Sequence, residues 1–115
     1  MAQPSTKLLA GPAYIASTAT NIYNNTSTLL YTILRHIHVA NITTGAVAFT
    51  LCLSTTGDAT NGTNLIKGYS LAANSTWDYY PSVGIKMVST LFLTGLDGNG
   101  AANVITVVGE LYAIS

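Results

Sequence analysis

The feature that most constrains this chain is its punctuation. Short runs rich in Thr, Val, Ile and Tyr are cut, at intervals of roughly ten residues, by clusters of Gly, Asn, Asp and Ser. β-Branched and aromatic side chains fit a pleated, half-buried surface, and helix signals are nearly absent. The runs are "AYIAS" (13–17), "TNIYN" (20–24), "LLYTILRHIHVAN" (29–41), "AVAFTLCLS" (46–54), "LIKGYSL" (65–71), "STWDYY" (75–80), "IKMV" (85–88), "TLFLTGL" (90–96) and "VITVVGELYAI" (104–114). A single open sheet would leave an apolar face and its edges uncovered. The expected closure is all-β: a two-sheet antiparallel β-sandwich, jelly-roll-like, of about eight strands. Residues 1–12, with Pro4 and Pro12, read as an extended N-terminal arm, and residues 13–115 as a single sandwich domain.

Three details sharpen this reading. The long run over 29–41 is expected to bulge near Leu34. In the following run, Val47, Phe49, Leu51 and Leu53 share one face, while Ala48, Thr50, Cys52 and Ser54 share the other. The last run is apolar on both faces apart from Thr106 and Glu110, which predicts a central or covered strand.

Charge limits the function classes. Lys7, Arg35, Lys67 and Lys86 balance Asp58, Asp78, Asp97 and Glu110, and charged residues make up 7% of the chain, against about 25% in ordinary soluble domains. No basic field exists to hold a phosphate backbone, so no nucleic-acid partner is expected. Thr, Ser and Asn, 35 residues together, must supply the polar surface. Near-zero net charge gives little protection against self-association, which predicts a homo-oligomer or a larger assembly covering much of that surface. No apolar run approaches the roughly 18 residues of a membrane-spanning helix, so no membrane partner is expected. The opening "MAQPSTKLLAGPAYIAS" lacks the apolar core of a signal peptide. Cys52 is the sole cysteine, so no disulfide can form within the chain.

Few residues present catalytic or ligating chemistry. His36 and His38 point the same way from one strand, a spacing that metal sites on sheets use. The acids sit in other runs, however, and none forms a compact motif with the pair. The expectation is therefore no metal and no cofactor, with the two imidazoles on an assembly surface. Cys52 lacks an orienting third residue and reads as an inert thiol. Asp97 in "LDGNG" fits a turn role, and Glu110 is expected to pair with Arg35 or a lysine, so no carboxylate pair for hydrolysis is expected. Trp77, Tyr79, Tyr80 and Tyr69 offer a possible sugar-stacking platform, although an alternating Trp usually belongs to a core. "GDATNGTN" and "DGNG" lack the ordered acidic spacing of a calcium loop.

One wider pattern remains. The "LYT" strand, "RHIHVAN", the "TTG" hairpin, an alternating strand, a polar loop, "LAANSTW" and the late Gly109-Glu110 in "VVGELYAI" follow one another over roughly residues 20–113. In that order they resemble small β-sandwich virion structural proteins of tailed phages and prophages. The resemblance implies a non-enzymatic protein of the capsid exterior, a decoration (cement) protein acting as a trimer on the major capsid protein. A collar, tail or head-fibre component with receptor or glycan binding is the alternative. The family carries no catalytic residues to transfer. In such proteins a longer Pro/Gly turn often separates "LYT" from "RHIHVAN", whereas here Thr32 runs through Ile33 and Leu34 straight into Arg35. The expected contact residues are Gln3, Lys7, Leu8 and Leu9 of the arm, with His36, His38 and Tyr80.

Overall fold

The computed structural model describes residues 7–25, 28–58, 60 and 62–113. Nine strands are present among them: β1 (Lys7–Tyr14), β2 (Thr20–Asn24), β3 (Leu30–Asn41), β4 (Val47–Ser54), β5 (Thr63–Leu71), β6 (Thr76–Tyr79), β7 (Ile85–Met87), β8 (Phe92–Asp97) and β9 (Asn103–Ala113). No helix among the described residues is long and apolar enough to cross a membrane.

The strands form two antiparallel sheets. One has the order β1-β9-β3-β6, with β7 also paired to β3, and the other has the order β2-β8-β4-β5. β6 and β7 pair with successive stretches of β3, at Ile37–Ala40 and Thr32–Leu34 respectively, so they are two halves of one edge position. Counted that way there are eight positions, four to a sheet, in the strand order of a jelly roll. Chain neighbours mostly lie in opposite sheets, and the β4–β5 hairpin stays within one.

The core lies between the sheets. Leu34, Ile37, Val39, Met87, Ile105 and Val107 come from the first sheet, and Phe49, Leu51, Leu71 and Leu93 from the second. Phe49 is central, with an edge-to-face contact to Trp77 at 5.4 Å and a tilted contact to Tyr69 at 5.9 Å. β9 runs between β1 and β3, as its two apolar faces predict.

One expectation shifts. The first strand begins at Lys7 rather than at residue 13, so residues 7–12 of the expected arm are edge strand paired to β9. Pro12 is tolerated there because it falls at a register irregularity between Ala10 and Ala13 on an edge. Gln3 and the rest of 1–6 lie outside the described residues.

The expected bulge in β3 is present and organises the outer surface. Against β9, Leu34 pairs with Gly109 and His36 with Val108, leaving Arg35 extra. Before the bulge the inward residues are Thr32 and Leu34, and after it they are Ile37, Val39 and Asn41. One inserted residue reverses the alternation, and both imidazoles are thereby turned outward. Gly109 is needed opposite the bulge, because a Cβ there would lie 2.2 Å from the Ile33 carbonyl oxygen.

Candidate functional site

β6 supplies what the sequence did not reveal. His38 pairs directly with Asp78, between Val39–Trp77 and Ile37–Tyr79. Alternation turns Trp77 and Tyr79 toward the core and Asp78 outward. The Asp78 carboxylate then meets both imidazoles. Its Oδ1 lies 2.7 Å from His36 Nε2 and 2.6 Å from His38 Nδ1. The expectation that no acid joins the histidine pair is therefore corrected. The two groups are 40 and 42 residues apart in sequence, and pairing of the strands brings them together.

Tyr80 completes the group. Its ring stacks on His36 with centroids 4.2 Å apart and planes 3° from parallel, yet it remains 68% exposed. The chain then turns through Pro81 to Gly84, closed by the Gly84 N–H donating to the Pro81 carbonyl at 3.2 Å. Gly84 has φ +76°, and a Cβ there would lie 2.4 Å from Ile33 Cγ2, so the turn sits against β3 and requires glycine. Hydrogen bonds from His38 and then His36 hold the Asp78 carboxyl below the usual carboxylate range, against a smaller opposing effect of burial.

A second group occupies the same outer face on the other side of the bulge. Arg35 Nε donates to Glu110 Oε1 at 3.0 Å, and the Tyr112 hydroxyl donates to the same oxygen at 3.0 Å. Tyr112 stacks on Tyr31 at 5.2 Å, and the Lys86 ammonium lies 4.6 Å from the Tyr31 ring centroid. The Arg35 bond, followed by the Tyr112 bond, lowers the Glu110 pKa. The expected Arg35–Glu110 pair is thus present. Four of the eight formally charged side chains, together with both histidines, lie on this one sheet face.

The remaining candidates fall elsewhere. Cys52 is buried in the opposite sheet beside Ser54, whose hydroxyl donates to its sulfur at 3.3 Å. Asp97 accepts backbone N–H groups of Asn99, Gly100 and Asn103 across its two oxygens, as its turn role predicts. The four aromatics weighed as a sugar platform do not share a face. Trp77 and Tyr79 stack on one another at 5.8 Å and pack against the core, while Tyr80 points outward. Of the expected contact residues on β1, Lys7 and Leu8 are exposed, and Leu9 is partly buried against the core.

No family model and no curated protein sequence matches the chain. Among solved structures, it is similar to a chain from Bacillus endospore appendages, described as a novel family of disulfide-linked pili. The identity is 19%, over 99% of this chain and 93% of that one, with a TM-score of 0.54. A chain from infectious bursal disease virus Gx strain matches at 9% identity over 95% of this chain and 30% of that one, with a TM-score of 0.37. The likeness to the appendage chain is one of fold.

Proposed function

We propose that the protein is a non-enzymatic structural subunit that works by being covered, in contact with copies of itself and with other components of a particle. The observation that carries this reading is its surface. Leu8, Tyr14, Ile42, Tyr80 and Val83 are more than half exposed on a chain whose charged residues total 7%. Apolar side chains outside, with so little charge among them, favour association over dispersal. Given the resemblance in its sequence, the particle is a phage virion. The subunit is a capsid decoration protein, a trimer seated on the major capsid protein through β1 and the outer face of the β1-β9-β3-β6 sheet.

The fold likeness to the endospore appendage chain favours a second reading, a subunit of a self-assembling filament. That pilus is described as disulfide-linked, whereas Cys52 here is the sole cysteine and is buried. A filament of this folded subunit would therefore hold together without disulfide links.

One experiment separates the two. The purified protein is imaged by negative-stain electron microscopy, alone and after mixing with phage heads from the strain that carries the gene. Ordered density on the heads, with discrete oligomers in the protein alone, is the expected result. Filaments in the protein alone favour the second reading. A dispersed monomer at high concentration, without affinity for heads, overturns both.

A further inference from the structure

The group on the outer face has the composition of a metal centre. We propose that His36, His38 and Asp78 bind one divalent transition-metal ion of the zinc type. Two imidazole nitrogens and one carboxylate oxygen are donors that zinc accepts, and three protein ligands with one open position form a recognised zinc arrangement. The three ligand atoms already lie within 4.8 Å of one another. Around an ion with bonds of about 2.0–2.1 Å, tetrahedral ligands stand about 3.3 Å apart. Asp78 Oδ1 is 2.7 Å and 2.6 Å from the two ring nitrogens, so admitting the ion lengthens these two distances by less than about 1 Å, while the widest spacing in the group, up to 4.8 Å, closes by about 1.5 Å.

The surroundings support this. His36 and His38 leave one strand on one side, and Asp78 is the cross-strand partner of His38, so the backbone sets all three directions. The Tyr80 ring, stacked at 4.2 Å, fixes the plane of His36. Asp78 is ion-paired to no lysine or arginine among the described residues, so the site keeps its negative charge for a cation. With neutral imidazoles, each ring N–H now donates to the carboxylate. When the ion binds, the proton on each ring resides on its other nitrogen, Nδ1 of His36 and Nε2 of His38, and no net proton is lost. Side-chain exposures of 25%, 37% and 35% leave the fourth position open to water.

The test uses the untagged full chain titrated with zinc chloride in isothermal calorimetry, with His side-chain NMR resonances followed in parallel. Saturable binding of one zinc per chain is expected, with the His36 and His38 ring signals moving together. The Asp78→Asn variant and the His36→Asn/His38→Asn double variant should each weaken binding by about tenfold or more, with the wild-type circular dichroism spectrum and a cooperative melt. Asp78→Asn is nearly isosteric, so it serves if the double variant folds poorly. Absence of saturable binding in the wild type, or unchanged binding in folded variants, overturns the assignment.

Discussion

At the scale of single residues, a few side chains carry much of the specificity. Asn41 is buried, and its amide donates to the Gly45 and Leu71 carbonyls at 2.8 and 3.0 Å while accepting from the Thr43 N–H and hydroxyl at 3.0 and 2.7 Å. Asn103, its cross-strand partner, is equally buried, and its side chain bonds to none of the described residues. Replacing Asn41 by Leu strands several protein groups at once. It should cost about 1–3 kcal/mol in urea unfolding, and Asn103→Leu should cost less. Phe49→Ala, at the centre of the core, should cost about 3–5 kcal/mol by the same measurement. The carboxylates make a separate prediction. Asp78 and Glu110 both have folded-state pKa values below their ordinary ones. Each therefore contributes stability that is present above about pH 4, where the unfolded carboxylates are also ionised, and is lost as pH falls through the depressed folded values. Melting temperature followed downward from pH 5 should decline less steeply in the Asp78→Asn/Glu110→Gln double variant than in the wild type.

At the scale of elements, the bulge in β3 decides which chemistry faces outward. Its signature is readable in the sequence. Inward positions at Thr32 and Leu34 give way to Ile37 and Val39, a break of parity that a regular strand cannot show. Deleting Arg35 would join Leu34 to His36, so the alternation would run unbroken with Thr32, Leu34, Ile37 and Val39 still inward and both histidines still outward, and the loss would be the Arg35–Glu110 pair. We expect the deletion variant to keep a cooperative unfolding transition, monitored by circular dichroism. The turn after β6 is similarly constrained. Gly84→Ala forces a left-handed backbone on a residue with a Cβ and presses it against Ile33. Backbone strain alone is about 1–2 kcal/mol, and the contact adds to it. The start of β1 was not readable, because prolines at 4 and 12 suggest an arm, while an edge strand with broken register accommodates Pro12.

At the scale of the whole molecule, the two faces of the sandwich differ. The outer side of the β1-β9-β3-β6 sheet carries half of the formal charges and both histidines, and Leu8 and Tyr14 lie on its β1 edge. The charges on that face balance, Arg35 and Lys86 against Glu110 and Asp78, and leave little net field to repel a second copy. Sedimentation velocity over a range of concentrations should therefore show association. Tyr80→Lys with Leu8→Lys should shift the distribution toward monomer without changing the melting temperature, since both side chains are more than half exposed.

The residues alone determined that this chain builds strands, which side chains of each strand share a face, and where the longest strand breaks step, because alternation and turn chemistry act over a few neighbours. They also placed Asp97 in its turn. Only the tertiary structure decided that β6 lies beside β3 and that Asp78 thereby stands against His36 and His38. Strand adjacency depends on how two sheets close over one core, and nothing within either strand states which partner it will meet.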